Sequence, residues 1–240
     1  MPRSSSERGA SLLKTITWLS GHDAPDWFPP PEQALEDPPG LLAAGGDLSC
    51  PRLIAAYRRG IFPWYSPGQP VLWWSPDPRA VLFPEEFRCS HSLAKTLRNG
   101  GFTTVIDRDF AAVIDGCAAP RAASPGTWIT SEMRTAYLEL HRLGHAHSIE
   151  AWRHGALAGG LYGVRLGGVF FGESMFSAER DASKVALAHL VAVCERNSIA
   201  VIDCQLYSRH LGSLGARTIP RSRFQALLAE QVGQPAAALG

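Results

Sequence analysis

The chain has 240 residues, 45% of them hydrophobic and 19% charged, which is enough apolar material for one large domain or two unequal ones. A formal net charge of +1 excludes a global electrostatic pull toward nucleic acid, so any RNA contact must come from a local basic patch. Five scattered cysteines (Cys50, Cys89, Cys117, Cys194 and Cys204) without a C-x-x-C pair argue against a disulfide framework or a structural zinc site and fit a reducing compartment. Lys14 interrupts the apolar run SLLKTITWLS and no small-residue cleavage site follows, so no signal peptide is expected. No apolar run is long enough to span a membrane.

In chain order, the residues up to about Ser20 read as loose, and Asp23 to Pro39 as an acidic, proline-rich stretch without regular structure. A helix is predicted over 50–59, with Leu53, Ile54 and Tyr57 on one side and Gly60 as its stop. Directly after it, the segment from Gly60 to Arg79 sets Trp64, Trp73 and Trp74 beside Phe62, Tyr65 and five prolines. Proline fixes φ and stiffens the backbone, so this stretch suits either a wall that holds a flat ligand or the seal of a small core between two lobes. After Arg79 the pattern becomes that of an ordered α/β or α+β domain, opening with a strand over 80–83; a boundary is therefore placed between 1–78 and 79–240.

Within that second part, helices are predicted over 90–98, over 110–117 with Asp107 as its cap, and over 131–143 with Gly144 closing it; a strand covers 103–106. Three strands over 145–152, 156–164 and 169–175, separated by turn-prone glycines, form an antiparallel meander. A helix over 182–196 capped by Asp181, a buried strand over 200–204 and an amphipathic helix over 222–231 complete the chain.

Asp203 stands in an otherwise apolar strand, where a carboxylate is costly unless paired or functional, and Gln205 two residues on is expected on the same face. The plain alternative is a buried carboxylate satisfying backbone N–H groups. Glu173, flanked by Phe170, Phe171 and Phe176, offers a partner to a cation in an apolar setting; an ion pair with Arg165 or Arg180 is the alternative. His91, Lys95 and Arg98 fall on one helical face with Arg88 just before it, either a phosphate-binding stripe or a solvated face. His141, His145 and His147 have no accompanying cysteine or carboxylate pattern, and strand alternation accounts for the last two, so no metal site is expected. Gly159, Gly160 and Gly163 lie within a strand and indicate close packing or a bulge rather than a phosphate loop.

Helices on a meander, followed by helix, strand and helix, is the order of an acetyltransferase-like (GNAT) domain with a cleft where the central strands splay. The segments GLLAAGGDLS, GIFPWYSPG, LWWSPDPRAVL, GTWIT, LGHAHSIEAW, GGLYGV, FGESMFS and VIDCQ, in that order between about Pro29 and Leu228, together resemble the leucyl/phenylalanyl-tRNA–protein transferase family. That resemblance implies an α+β fold, with a small N-terminal domain followed by an acetyltransferase-like domain built on a mostly antiparallel mixed sheet flanked by helices. It implies a cytoplasmic bacterial enzyme, a monomer acting away from membranes. Such an enzyme moves leucine or phenylalanine, with methionine as a further candidate, from aminoacyl-tRNA to the α-amine of a protein beginning with Lys or Arg. The product is an N-degron, and the reaction needs no metal or organic cofactor.

Carried onto this chain, the resemblance makes Asp203 the polarising or general-base group acting through Gln205, and Glu173 the holder of the acceptor's basic residue. Leu161, Phe170 and Ile202 become candidates for the amino-acid pocket, with Leu161 standing where family pockets often have Met. Trp64 and Trp128 are assigned to stacking of the terminal adenine, and Tyr137 to a hydroxyl contact with the sugar or carbonyl, a core tyrosine being the alternative. Arg88, His91, Lys95 and Arg98 would meet the tRNA backbone, although the family's helix is usually richer in Lys and Arg. Trp73 and Trp74 would pack where the two domains meet. A coenzyme A-dependent acyltransferase would need a pyrophosphate loop before residue 182, which the sequence lacks, and a binding module would not need Asp203 and Gln205.

Overall fold

A computed structural model of the chain describes residues 16–119, 128–235 and 239. The proline- and tryptophan-rich first third pairs its short strands into a sheet of its own. β1 (Thr17–Leu19) runs parallel to β2 (Leu41–Gly45). α1 (Cys50–Arg58) follows, with Pro51 in its first turn and Gly60, at φ +70°, just past its end. β3 (Phe62–Pro63) and β4 (Leu72–Trp74) then complete the order β1-β2-β4-β3. The residues expected to be loose near 17–19 are thus a strand, held by pairing with a partner more than twenty residues away. The stretch from Asp23 to Pro39 carries one 3-10 turn, Pro31–Gln33.

The larger sheet begins at β5 (Arg79–Leu82). Along the chain come α2 (His91–Asn99), β6 (Thr103–Ile106), α3 (Phe110–Ala118), α4 (Ser131–Arg142), β7 (Ala146–Arg153), β8 (Ala156–Leu166) and β9 (Val169–Ser177). α5 (Ala182–Arg196), β10 (Val201–Gln205), α6 (Arg209–Ser213), β11 (Arg217–Ile219) and α7 (Arg221–Gln231) close it. The strand order is β11-β5-β10-β9-β8-β7-β6, and every neighbouring pair is antiparallel except β9 with β10. This is the mostly antiparallel mixed sheet that was expected.

Alternation along the central strands sends successive side chains to opposite faces. Tyr162 and Phe171 pack with Phe110, Val113, Met133 and Tyr137 of α3 and α4, and the same apolar cluster takes in Tyr57, Trp73 and Phe28 from the first third of the chain. Leu161 and Phe170 face the other way, against Val185, Ala186 and Leu190 of α5. One core therefore runs continuously under both sheets.

Two helix starts differ from expectation. The carboxylate of Asp109, not Asp107, accepts the N–H of Ala112 at the head of α3. Asp107, at φ 56°, instead accepts from the Ser148 N–H and meets His147 Nδ1 at 2.6 Å, so its local turn is settled by the neighbouring strand. At α5 the Asp181 side chain makes no cap and pairs with Lys184; Ser177 Oγ accepts the Ser183 N–H at 2.8 Å.

β9 and β10 pair only from Val169–Val201 to Phe171–Asp203, after which β9 continues to Ser177 while β10 stays paired with β5 as far as Gln205. The gap between them is the mouth of the cleft described below. Gly163 lies at a register shift between β8 and β9, where a Cβ would sit 2.5 Å from Phe170 Cε1 and closer still to the Phe171 carbonyl oxygen. Close strand approach is thus its role, as read from sequence. Gly163→Ala is expected to lower stability by about 2 kcal/mol or more in chemical denaturation. Gly21→Ala, whose Cβ would meet nothing within 4 Å, should leave the midpoint unchanged.

Candidate active site

At the point where β10 leaves β9, Asp203 is fully buried and bound by a cation that sequence reasoning did not assign. Arg79, the first residue of β5, donates from Nε to Asp203 Oδ1 at 2.8 Å and from Nη2 to Oδ2 at 2.6 Å. A third guanidinium donor, Nη1, reaches the Gly60 carbonyl at 3.0 Å, and the rings of Phe62 and Phe224 lie 4.9 and 4.8 Å from the guanidinium carbon. A bidentate pair of this kind is strong only because it is complete; removing one partner strands a buried charge at a cost of about 3–5 kcal/mol. The carboxylate is satisfied, as the plain alternative held, but chiefly by Arg79 rather than by backbone.

The alternation expected for Asp203 and Gln205 is broken by a register shift between them, and Gln205 adopts φ 54°. Its N–H donates to Asp203 Oδ1 at 3.0 Å. The ion pair therefore clamps the backbone in a left-handed turn that a non-glycine residue seldom adopts. The Gln205 side-chain Nε2 is buried and has no hydrogen-bond partner among the described residues.

Glu173 meets neither Arg165 nor Arg180. Tyr57 from α1 donates to its Oε1 at 2.7 Å and Tyr137 from α4 to its Oε2 at 2.8 Å; the two tyrosine oxygens also touch, and closing that third edge with a hydrogen bond takes the proton of a protonated Glu173, since two phenols supply only two. Desolvation raises the Glu173 carboxyl to about 7; the two phenol donors pull it down, the Asp203 charge adds to the rise and Arg79 opposes it. Burial, then the charge of Glu173, holds both phenols well above their ordinary range. The Tyr137 hydroxyl is thus committed to Glu173 and Tyr57, not free for a sugar or carbonyl. Tyr162, beside them, has a buried hydroxyl with no hydrogen-bond partner among the described residues.

Two cavities meet at Glu173, Cys204 and Gln205. The first, of about 220 Å³, is walled by Leu161, Met175, Leu187, Leu190, Ile202 and Leu211, with Ser208 and His210 also on its lining. Leu161 and Ile202, two of the three pocket candidates, are on this lining; Phe170, the third, is buried in the core behind and does not line the cavity. The second, of about 210 Å³, is bounded by Phe62, Pro63, Trp64, Trp128 and Leu206, which brings the two predicted tryptophans together. Trp64 is 41% exposed and is supported by Trp74, whose ring centroid lies 5.6 Å away and whose Nε1 donates to the Trp64 carbonyl. Trp73 instead is sealed inside the small sheet against Phe28, with its Nε1 on the Gly45 carbonyl. Burial pushes the Cys204 thiol up to about 12, which removes it as a nucleophile.

Arg88, His91, Lys95 and Arg98 are all exposed, with no ion-pair partner among the described residues. His141 and His147 are occupied elsewhere: His147 with Asp107, and His141 with the Ala146 carbonyl and a stacked Phe110 ring. Tyr57, Arg79, Met175 and His210 are the site residues that sequence reasoning missed. For Arg79 the signal was present, a cation at the head of the apolar strand RAVL, which needs a buried anion.

Two unlike cavities, one apolar and one aromatic, that share a carboxylate and an amide at their junction suit a group-transfer enzyme that holds the two ends of a donor on either side of a polar point. The family model described as "Leucyl/phenylalanyl-tRNA protein transferase" matches residues 81–229, and the one described as its N-terminal domain matches residues 46–77. Among proteins of that name, the one from Aromatoleum aromaticum is 61% identical over 89% of this chain and 89% of its own. Those from Methylococcus capsulatus and Stutzerimonas stutzeri are 58% and 55% identical, over 90% and 93% of this chain and 92% and 98% of theirs. The chain belongs to the leucyl/phenylalanyl-tRNA protein transferase family and is an aminoacyltransferase. A GCN5-related N-acetyltransferase from Kribbella flavida is similar only at a TM-score of 0.38 and 12% identity, over 68% of this chain and 58% of that one, too slight a likeness to carry weight.

The raised carboxyl of Glu173 has a stability consequence. The folded protein holds this proton up to about 7, whereas the unfolded chain releases it near the ordinary value of 4.5, so stability falls as pH rises between the two. Glu173→Gln, which removes the desolvated charge, is expected to melt above the wild type at pH 8.5, with the gap closing below pH 5 in thermal scans.

Proposed function

We propose that the protein transfers leucine or phenylalanine from the 3′ end of an aminoacyl-tRNA to the α-amine of a protein that begins with Lys or Arg. The observation that carries this reading is the meeting of an apolar and an aromatic cavity at Glu173 and Gln205. The terminal adenine stacks against Trp64 and Trp128, worth about 1–3 kcal/mol per stacked base. The leucyl or phenylalanyl side chain fills the apolar cavity of about 220 Å³ beside Leu161, Met175 and Ile202. Polar or short side chains lose there, by roughly 1–3 kcal/mol per missing methylene. An unbranched methionine fits the same chemistry.

The ester is already activated, so the enzyme's task is to hold amine and carbonyl in contact and to manage one proton. Gln205 is fixed at the junction by the Arg79–Asp203 pair, with its amide available to the ester or the amine. Asp203 acts by polarising and orienting that residue; both of its oxygens are engaged by Arg79, which leaves it no direct contact with substrate. Glu173 receives the acceptor's basic side chain, and the incoming positive charge favours its ionised form, so acceptor affinity rises with pH through about 7. The exposed stripe of Arg88, His91, Lys95 and Arg98 takes the tRNA backbone. The product is an N-degron made in the cytoplasm.

Purified protein is expected to move radiolabelled leucine or phenylalanine from charged tRNA to a peptide beginning with Arg. Glu173→Ala and Asp203→Ala should each slow transfer at least tenfold, and no transfer by the wild type would sink the assignment. For the tRNA contact, replacing both Lys95 and Arg98 with Gln should weaken binding and lower the slope of log K against log salt by about 2. An unchanged slope would leave the stripe as a solvated face.

A further inference from the structure

Aminolysis releases one proton, and the cleft offers few groups able to take it. Asp203 is buried with both oxygens on Arg79. Glu173 accepts from two phenols and, on the reading above, faces a cation. The Cys204 thiol is pushed up to about 12 and is not ionised near neutrality. Two more titratable groups line the apolar cavity: Tyr162, whose phenol burial holds well above its ordinary range, and His210 on α6. His210 is exposed to water, and its ring has no hydrogen-bond or ion-pair partner among the described residues. The same lining holds Tyr162 from β8, Glu173 from β9, Asp203, Cys204 and Gln205 from β10, and the apolar Leu187 and Leu190 from α5; Arg209 precedes His210 on its own helix.

We propose that His210 is the proton-transfer residue of the aminoacyl transfer. The acceptor's α-amine attacks the ester carbonyl carbon, and the new C–N bond forms as the imidazole takes the proton that the amine sheds. The bond between that carbon and the tRNA 3′-oxygen then breaks, the imidazole returns the proton to this oxygen, and the tRNA leaves with a free hydroxyl. His210 ends as it began, so the step balances without a metal or an external base. Contact with solvent lets the ring exchange its proton with water and reset between turnovers. An imidazole, rather than a carboxylate, also adds no negative charge to a cavity that Glu173 and Asp203 already line.

The inference rests on the aminoacyl-transfer reading, and the two fail separately. In single-turnover transfer of leucine from charged tRNA to an Arg-peptide, with both substrates saturating, His210→Ala is expected to be slower by about 10²-fold or more. Its thermal midpoint should stay at the wild-type value, because the ring is exposed and unpaired among the described residues. Added imidazole and methylimidazoles should accelerate the variant and not the wild type, more strongly as the added base becomes more basic. A variant within about threefold of the wild type, or a slowed one that no imidazole restores, overturns the role of His210. Absence of transfer by the wild type overturns instead the reading on which it rests.

Discussion

The buried ion pair between Arg79 and Asp203 is the constraint on which the cleft depends. It joins the first strand of the large sheet to the strand that lines the site, and through Gly60 it reaches the end of α1. Because the pair is closed on both oxygens and boxed by Phe62 and Phe224, it contributes position rather than reactivity. Its product is the turn at Gln205, which carries an otherwise disfavoured backbone and presents an amide where the strands part.

A second organising feature is the carboxylate of Glu173 held between two tyrosines. Hydrogen bonds from phenols let the charge exist in a desolvated place without neutralising it, as an arginine would have done. The carboxyl therefore stays near its switching point and open to a cationic partner. Had Arg165 or Arg180 been its mate, as the sequence allowed, the cleft would have been electrostatically closed.

The meander of the larger sheet was legible because its strands are long and separated by Gly turns; it and β6 lie within a residue or two of where the sequence pattern placed them, whereas the three-residue edge strand β11 was not anticipated. The strands near Thr17 and Leu72 were not, since three-residue strands carry no period and are made by partners distant in sequence. Trp64, Trp128, Leu161 and Ile202 were assigned to a pocket through resemblance to a family; Phe170 shares the face of Leu161 and Ile202 but sits where β9 and β10 are still paired, so it is sealed in the core instead of lining the cavity, a difference of depth that sequence alternation does not carry. Tyr57 and Arg79 escaped because their roles depend on contacts more than a hundred residues away in sequence. Gln205 was found for a reason that failed, since the bulge cancels the two-residue alternation.

Tyr57 has a wider implication. One of the two donors on Glu173 comes from α1, whereas the other comes from α4 in the later part of the chain, and Trp64 likewise faces Trp128 across the aromatic cavity. The first third of the chain thus helps to build the cleft rather than standing apart from it. Exchanging that portion between relatives would replace, in one stroke, a phenol donor on Glu173 and one wall of the aromatic cavity.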